Sequence, residues 1–536
     1  MAVYYVDGVS GSDDNDGTTE LLAWQTIGKA ETESANMVAG DFLLFKAGQT
    51  FDDSFTYGGA SGTLGNEVVI SAYGTGARPI ITVIGEKTGT WTDEGSNKWS
   101  LPSAYKTTRL WKNGVEQKST SPVAYGETWN EFGLIAGCVW IWDSDVLYFY
   151  SETDPNLDTF TGATKYTTLK FDGVSNVKLA SLDMRGGSSY CLGLKNCTYI
   201  DAYYNDIGYD GAYGLVVNNS TNIKVRRNRF DTNFKLIFDG VSTYTGTDVR
   251  GCSDGIAADG LFKDSEIMYN DFINWGHSAI GLTGAIEADE VSGNKVYNNY
   301  LTAPDLHYSR ALSWSGDFMK NNEVYNNYAD VFYIRSQLNG VSNHFHHNHI
   351  SNIHRTPYKD GEDGQGFALE SYSGNPTGNL YEYNTIEYTE SAGMELVASG
   401  DVAKPIQGNT FNKNLFTNCG TNTWYASSEN KGVKTEDFVD ILDNTYTDNA
   451  FSDTGSTILH RGVSCTPSEF NARDGVGGDV ISGNTITATD QGAGLLASET
   501  GVNAKGENMT GMTEIKLGFD QAVLDDFRAR ALAQYV

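Results

Sequence analysis

A short pattern recurs along this chain from about residue 200: an apolar residue, an aromatic, Asn, any residue, then Phe, Tyr or Ile. Clear copies begin at Met268, Val296, Val324, His346 and Glu382, and degenerate copies centre on Asn205, Asn228, Asn414, Asn444 and Asn484. From Asn205 to Asn484 the chain runs 279 residues in nine intervals, a mean period of 31. Because strands recur within the period and no 3.6-residue helical pattern does, this repeat predicts a β-solenoid.

Coils of a solenoid stack at the spacing of neighbouring strands, roughly 4.8 Å, so equivalent residues lie above one another. A column of Asn side chains can pass hydrogen bonds from coil to coil, and Asn tolerates the left-handed backbone of a bend. The repeated Asn residues are therefore predicted to be structural. We expect an aromatic column beside them, formed by Tyr269, Tyr297, Tyr325, His347 and Tyr383.

The chain divides into four predicted segments. Residues 1–85 contain a first strand, an amphipathic helix around residues 24–30 that would cap the open end, and the first coils. Residues 86–165 hold six of the ten Trp residues and interrupt the repeat, which predicts a small inserted β-rich domain whose Trp side chains form a core or stack on sugars. Residues 166–500 are the main solenoid. Residues 501–536 are predicted to end in a short helix that covers the last coil or docks to a partner subunit.

Composition excludes several classes of protein. With 37 Lys and Arg against 68 Asp and Glu, the net charge is −31, so the surface repels nucleic-acid backbones. No apolar run is long enough to cross a bilayer, and the start shows no signal peptide. The six Cys residues show no CxxC spacing; Cys191 and Cys197 are close enough in sequence to pair, but buried free thiols are the favoured interpretation.

One strand of each coil can be aligned by its inward apolar residues. Five consecutive strands align through Ile280 and Leu282, Leu312 and Trp314, Phe332 and Ile334, Phe367 and Leu369, and Met394 and Leu396. Because side chains alternate across a strand, the residues between and after these point outward. The outward set is Gly281, Thr283, Ser313, Ser315, Tyr333, Arg335, Ala368, Glu370, Glu395 and Val397.

This register makes Glu370 and Glu395 diagonal neighbours, about 8 Å apart, which suits an inverting glycosidase. We expect these two residues to be catalytic together with Arg335, which could neutralise a uronate or sulfate on the sugar. The alternative is that Arg335 and Glu370 form only a surface ion pair. Tyr333 and Ser315 would contact the substrate on the same face.

A charged loop precedes the Glu370 strand and offers further substrate contacts. It supplies His354, Arg355, Tyr358 and Lys359, which could line a sugar groove, although a solvated loop without a role is an equal alternative. Six of the eight His residues lie between residues 307 and 354, but His344 and His346 face away from His347 and His349 in a strand, so packing is favoured over a metal site. No cofactor is predicted, and Ca²⁺ remains a candidate ion.

A family resemblance rests on the first strand, the Gly40-Asp41 turn, residues 73–76 with 78–81, and the Asn-centred coils. These features resemble the right-handed parallel β-helix (pectate-lyase-like) superfamily. The resemblance implies an all-β fold and polysaccharide as the ligand. The paired Asp, Gly-His-Gly and Arg-x-Lys signatures of polygalacturonase-like enzymes are reduced to Gly276-His277-Ser278, and the Lys and Arg pattern of alginate and chondroitin lyases is not matched. No enzyme family is therefore implied.

We expect a protein that recognises and cuts an extracellular or cell-surface polysaccharide. Its acidic, aromatic-rich coils resemble virion tail spikes, which are usually trimers, so a homotrimer at the virion surface is one expectation. A secreted bacterial polysaccharide lyase or glycoside hydrolase is the alternative. A structural or adhesive β-helix without chemistry is the third.

Overall fold

The computed structural model describes residues 1–487, apart from residues 106, 108, 118–139, 210–212, 233–253, 259, 304–308, 333–335, 355–363, 371–373, 375, 398–404, 420–432, 436–440, 453–457, 461–462 and 477–478. Three long sheets, here called A, B and C, are stacked from successive coils, and nearly all of their strands pair in parallel. Each coil passes from sheet A to sheet B to sheet C before it returns to A. The predicted all-β parallel β-helix is confirmed.

The strands of sheet A are Val3–Val6, Phe42–Lys46, Val68–Tyr73, Ser175–Ala180, Thr198–Tyr203, Ser220–Thr221, Lys224–Arg226, Phe262–Lys263, Glu266–Met268, Val291–Ser292, Lys295–Tyr297, Met319–Lys320, Glu323–Tyr325, His344–His346, Leu380–Glu382, Thr410–Asn412, Thr445–Thr447 and Val480–Ser482. A separate short parallel pair is formed by Ile406–Gln407 and Ile441–Leu442.

The strands of sheet B are Thr50–Phe51, Ile80–Thr82, Asp183–Arg185, Asp206–Tyr209, Arg229–Asp231, Asp271–Ile273, Tyr300–Thr302, Tyr328–Phe332, His349–Ile353, Thr385–Thr389, Leu415–Cys419, Ala450–Ser452 and Thr485–Thr487. The strands of sheet C are Phe55–Tyr57, Thr167–Asp172, Tyr190–Lys195, Tyr213–Asn218, Asp254–Ala258, Ser278–Thr283, Arg310–Ser315, Ser336–Leu338, Phe367–Glu370, Met394–Val397, Val433–Thr435, Ile458–His460 and Val463–Cys465.

The interior of the coils is apolar and continuous from the first strand to the last described coil. Aromatic rings stack along it: Phe345 on Tyr381 at 5.0 Å, Tyr381 on Phe411 at 4.9 Å, and Phe411 on Tyr446 at 5.1 Å between ring centroids. These separations match the coil spacing, because each coil contributes one residue to the stack.

Two ladders of buried Asn side chains run along the stack. In the first, each Asn donates its backbone N–H and side-chain Nδ2 to the Oδ1 of the Asn in the next coil, as Asn270 does to Asn299 at 3.0 Å. Its members are Asn205, Asn228, Asn270, Asn299, Asn327, Asn348, Asn384, Asn414, Asn449 and Asn484. The second ladder contains Asn294, Asn322, Asn343, Asn379, Asn409 and Asn444, although no Nδ2 bond joins Asn343 to Asn379. The structural role predicted for the repeated Asn is confirmed.

The predicted alignment of two copies is wrong by one residue. The ladder uses Asn299 and Asn327, whereas Asn298 and Asn326 take the left-handed backbone of the bend with φ of 55° and 54°. Tyr269 shares that conformation at φ 57°. The predicted aromatic column is confirmed in part: Tyr297 stacks on Tyr325 and His347 stacks on Tyr383, but Tyr325 stacks on His346 rather than His347.

The first helix, α1 (Ile27–Ser34), begins later than predicted. Thr26 is its N-cap and accepts a hydrogen bond from the backbone of Lys29, while Trp24 lies before the helix and bridges to Val6. Ile27 and Ala30 join the core of the first coils. A second helix, α2 (Pro467–Asn471), packs at the other end of the described coils, and 3₁₀ turns occupy Glu20–Leu22, Pro155–Leu157 and Glu287–Asp289. The helix predicted within residues 501–536 lies outside the described residues.

The Trp-rich segment forms two antiparallel sheets instead of coils. One contains Ile84–Glu86, Trp111–Lys112, Val115–Glu116 and Phe160–Ala163, and the other contains Thr92–Gly95, Lys98–Pro102, Trp140–Asp143 and Val146–Tyr150. Trp91 and Trp140 are buried in an apolar cluster separate from the coils, which supports the core interpretation for these two. Arg109 links the segment to the stack by donating Nη1 to the Thr232 carbonyl at 3.0 Å.

Cys191 and Cys197 are free, buried thiols. Desolvation raises the pKa of Cys191 to about 12 and that of Cys197 to about 11, so both stay protonated at neutral pH. None of the described helices has the length and apolar character that crossing a bilayer requires.

Candidate active site on sheet C

The outer face of sheet C carries the predicted carboxylate pair. Glu395 pairs with Ala368 and Glu370 pairs with Val397, so the two Glu residues are diagonal neighbours on adjacent coils, as predicted. Earlier in the sheet, Gly281 pairs with Ser313 and Thr283 with Ser315, also in the predicted register. From the strand rise and the coil spacing, the two Glu side chains start about 8 Å apart.

Burial distinguishes the pair from ordinary surface carboxylates. Glu370 is 2% exposed and Glu395 is 4% exposed, although both belong to the outer face of the sheet. Gln337 donates Nε2 to Glu370 Oε2 at 3.0 Å, and Gln365 donates Nε2 to Glu395 Oε2 at 2.6 Å. A buried carboxylate needs such donors, because its loss of water would otherwise be costly. Each Glu is thus oriented by its own amide.

The register predicted for the intervening coil is wrong by four residues. Its strand in sheet C is Ser336–Leu338, and Gln337 pairs with Ser313 on one side and Ala368 on the other. The sheet B strand before it extends to Phe332, which pairs with Ile353 and is not an inward residue of sheet C. Other residues therefore take the positions predicted for Tyr333 and Arg335. Tyr333 and Arg335 themselves lie outside the described residues.

Arg310 supplies a positive charge that the sequence prediction missed. Its Nη1 donates to Gln337 Oε1 at 3.2 Å, and Gln337 in turn donates to Glu370. The guanidinium polarises the amide, which strengthens the amide as a donor to the carboxylate. Arg310 is the first residue of its strand, and the alignment of inward apolar residues gave no signal for it.

A second polar group lies on the same sheet, nearer the N-terminal coils. His277 Nδ1 is 2.8 Å from Asp254 Oδ1, and the hydroxyl of Ser278 donates to the same oxygen. A side chain at Gly281 would collide with the Asp254 carboxylate, 2.9 Å from the position of its Cβ, so glycine keeps this space open. Asp254 lies 23 residues before His277, so the sequence alone does not indicate that the two are partners. Pairing its strand with residues 278–283 brings the two together.

The remaining predicted substrate contacts divide into described and undescribed residues. Ser315 is on the outer face of sheet C, two coils before Glu370, and its hydroxyl lies 3.0 Å from that of Thr283. His354 follows the sheet B strand His349–Ile353, and its Nδ1 is 3.2 Å from Glu390 Oε1. Arg355, Tyr358 and Lys359 lie outside the described residues, so their predicted role is untested.

Sheet B carries a buried His–Glu pair that sequence reasoning treated as packing. His349 Nε2 lies 2.7 Å from Glu387 Oε1, and the two are diagonal neighbours like the Glu pair of sheet C. His349 Nδ1 has no hydrogen-bond partner in the described part of the chain. The ring of Tyr328 lies 4.8 Å from that of His349, and burial raises the pKa of Tyr328 to about 12. An imidazole held at one nitrogen and open at the other can accept a proton.

Metal ligands do not converge on sheets B and C within the described ranges. The group of three His, Cys, Asp or Glu residues with ligand atoms close enough for one ion is on sheet A, and it contains Glu323, His344 and His346. The Ca²⁺ named as a candidate ion stays a prediction.

Comparison with known proteins gives limited results. No protein-family profile matches the chain. Over 93 residues it is 32% identical to lacto-N-biosidase of Bifidobacterium longum subsp. longum, a stretch that is 16% of this chain and 6% of that enzyme. The whole-protein activity of that relative therefore does not follow for this chain.

The chain is also similar to several solved structures, at low identity. The complex of XylC with xylose is 11% identical, with 88% of this chain and 78% of that chain covered and a TM-score of 0.46. The GH136 lacto-N-biosidase of Eubacterium ramulus is 11% identical, with 91% and 68% covered and a TM-score of 0.41. A mannuronic acid specific family 6 lyase from human gut microbiota is 11% identical, with 96% and 100% covered and a TM-score of 0.40. Likeness at this level does not transfer an activity.

Proposed function

We propose that this chain is a glycan depolymerase and that hydrolysis takes place on the outer face of sheet C. The observation that carries the proposal is the diagonal pair Glu370 and Glu395, both buried and each held by a glutamine amide. A separation of about 8 Å leaves room for a water molecule between a carboxylate and the sugar, as inverting glycosidases require.

The two carboxylates take different roles in this proposal. Gln337, polarised by Arg310, stabilises negative charge on Glu370, so Glu370 is the general base that removes a proton from water. Glu395 is the general acid that protonates the leaving glycosidic oxygen while water attacks the anomeric carbon from the opposite face. The bond to the leaving oxygen breaks as the new bond to water forms, and the configuration is inverted.

A neutral or weakly charged glycan is the favoured substrate. The net charge of −31 disfavours a densely anionic polymer, because long-range repulsion slows its approach. In this proposal Ser315 and His354 extend the substrate contacts, and Arg355, Tyr358 and Lys359 of the charged loop are further candidates.

The decisive experiment is digestion of a panel of neutral and uronate-containing glycans. Hydrolysis should release reducing ends without the ultraviolet absorbance of an unsaturated uronate, and the anomer first formed should be inverted by NMR. Glu370→Gln and Glu395→Gln should abolish release, whereas Glu266→Gln, a carboxylate on sheet A, should keep wild-type rates. Equal rates in all four proteins would remove the sheet C face as the active site.

β-Elimination is a second candidate, favoured by the buried Nδ1 of His349, which has no hydrogen-bond partner among the described residues. There, Nδ1 would take the proton from the carbon next to the uronate carboxylate, and the freed electron pair would form a carbon–carbon double bond. The bond to the leaving oxygen would break, and Tyr328 would supply its proton. An absorbing unsaturated product that disappears in His349→Gln, but persists in Glu395→Gln, would select this reaction.

The biological setting is also part of the proposal. A virion tail spike, a secreted bacterial depolymerase and a purely adhesive β-helix all fit a glycan-binding parallel β-helix outside the cell. A trimer by sedimentation would favour the tail spike, a monomer the secreted enzyme, and binding without cleavage the adhesin. Loss of activity with EGTA would support a role for Ca²⁺.

A further inference from the structure

Sheet A carries a compact group of metal-ligand side chains outside the proposed active site. Glu323, His344 and His346 each offer one ligand atom, and these atoms lie within 4.8 Å of one another. Glu323 pairs with His344 across adjacent coils, and Tyr325 pairs with His346. His344 and His346 are two residues apart in one strand, so their side chains emerge on the same face beside Glu323.

Sequence reasoning had counted only histidines and found no third one on that face. The third ligand is a carboxylate from the preceding coil, with His346 Nε2 3.2 Å from Glu323 Oε1. The rings of His344 and His346 have centroids 4.1 Å apart. Two imidazoles and one carboxylate at these separations can reach a common ion with small side-chain rotations, because such ligands bind Zn²⁺ at about 2.0–2.2 Å.

Neighbouring groups already orient each ligand. His344 Nε2 is 2.9 Å from Glu382 Oε1 of the following coil, and His346 Nδ1 is 2.8 Å from His347 Nδ1. His344 is thereby engaged at Nε2. His346 is engaged at Nδ1, and its Nε2 faces Glu323 Oε1, where an ion would replace the hydrogen bond between the two ligands. A histidine that donates its second N–H to a carboxylate is a common arrangement around bound metals, because it fixes the ring and raises its basicity.

The surroundings of Glu323 leave one of its carboxylate oxygens available to an ion. Lys295 lies 3.1 Å from Glu323 Oε2 and leaves Oε1 on the side of His346. The side chains are half-buried, so an ion can enter from solvent while a coordination position stays open to water.

We propose that Glu323, His344 and His346 form a transition-metal site, best suited to Zn²⁺, that joins two adjacent coils on sheet A. Two nitrogen ligands and one oxygen ligand favour Zn²⁺ over Ca²⁺ and Mg²⁺, which prefer oxygen. Glu382 orients His344 as a positioning residue. The site is independent of the proposed reaction on sheet C, and its role is to tie coils together.

The test is calorimetric titration of the chelator-treated full chain with Zn²⁺. We expect one equivalent to bind and to raise the unfolding temperature, since a ligand that binds only the folded state stabilises it. Co²⁺ should give the visible d–d absorption of a low-coordinate site. His346→Gln and Glu323→Gln should weaken binding by more than about tenfold, and Glu382→Gln by about tenfold.

Two controls keep the test specific. His354→Gln removes a half-exposed His that also lies beside a Glu, and it should leave Zn²⁺ binding unchanged. Lys295→Met removes a competing charge from Glu323 and should tighten binding. Binding of equal strength in wild type, His346→Gln and Glu323→Gln, or no binding of Zn²⁺ by wild type, would overturn the proposal. Circular dichroism on each variant separates loss of a ligand from loss of the fold.

Discussion

Sheets A and C carry charge on their outer faces in opposite ways. On sheet A, Arg226 pairs with Asp201 at 2.9 Å and Lys295 with Glu323 at 3.1 Å, each pair joining adjacent coils and remaining partly exposed. On sheet C, Glu370 and Glu395 are almost fully buried and take hydrogen bonds from neutral amides. Partly exposed pairs change stability little, whereas buried carboxylates cost stability. Such a cost is common at functional sites, and it supports the site proposed on sheet C.

The largest expected difference between the two faces is in catalysis. Glu395→Gln should lower kcat/KM on a cleaved glycan by about 10²–10⁴-fold, because the amide cannot donate the proton that a general acid supplies. The matched sheet A change, Glu266→Gln, should alter the rate less than twofold. Steady-state kinetics on both variants measures kcat/KM. Equal losses in the two variants would contradict a catalytic role that is particular to sheet C.

Removing a carboxylate from the sheet C face should raise stability, whereas it lowers activity. Glu370→Gln keeps the shape and the bond from Gln337 but removes a buried charge, so the free energy of unfolding should rise by about 1–2 kcal/mol. Urea unfolding at pH 7 measures this. A fall in stability would mean that Glu370 belongs to the scaffold instead of the site.

On sheet A, Glu290 provides the matching test with a defined pH dependence. Ser292, Lys263 and Lys320 all contact its carboxylate and lower its pKa from the ordinary 4.5 to about 2. A depressed carboxylate pKa stabilises the fold above pH 4.5, and this contribution is lost as the pH falls from 4.5 to 2.

Glu290→Gln should therefore lower the free energy of unfolding by about 1 kcal/mol at pH 7, after allowance for screening by solvent. The difference from wild type should close as the pH approaches 2. Thermal unfolding across this range measures it, and a difference that stays constant with pH would show that the three contacts do not stabilise the ionised carboxylate.

The smallest effect is expected for an exposed ion pair of sheet A. Lys224 is 52% exposed and lies 3.4 Å from Glu266. Lys224→Met should change the free energy of unfolding by less than about 0.5 kcal/mol, and raising the salt concentration should remove the change. A larger effect in chemical unfolding would show that the ion pairs of this face act as a network.

Sequence alone predicted the parts of this molecule that repeat. Ile280 and Leu312 aligned correctly because apolar and small residues alternate cleanly in their strands. The predicted alignment of sheet C is wrong at Phe332. This residue belongs to a sheet B strand that is two residues longer than the sheet B strand of the preceding coil, and its extension shows the alternation of apolar residues expected of sheet C. The Asn-Asn doublet at 298 and 299 offered two equivalent alignments, and only the bend geometry selects Asn299 for the ladder.

The partners of the candidate site were beyond sequence reasoning for a different reason. Gln337 contacts Glu370 from the preceding coil, and Gln365, just before the Glu370 strand, contacts Glu395 in the following coil. Both roles therefore depend on tertiary contacts. Asp254 and His277 were visible as residue types, but 23 residues separate them and only the pairing of their strands brings them together.

The Asn ladders have a polarity. The Asn-to-Asn bonds all run the same way, from a backbone N–H and an Nδ2 hydrogen to the Oδ1 of the next coil, so each bond polarises the next. The other Nδ2 hydrogen is donated to a backbone carbonyl of the preceding coil, as Asn270 does to Val225. The second ladder stops at Asp479, whose Oδ1 accepts the Asn444 N–H while Oδ2 faces His460. An ionised carboxylate has no hydrogen to donate to a further coil, so Asp479 is the last acceptor of the series. Its negative charge lies at the C-terminal end of the ladder, toward which the Asn-to-Asn hydrogens point. The second ladder is therefore directional along the axis of the coils, and it ends at an acceptor that has no hydrogen to donate.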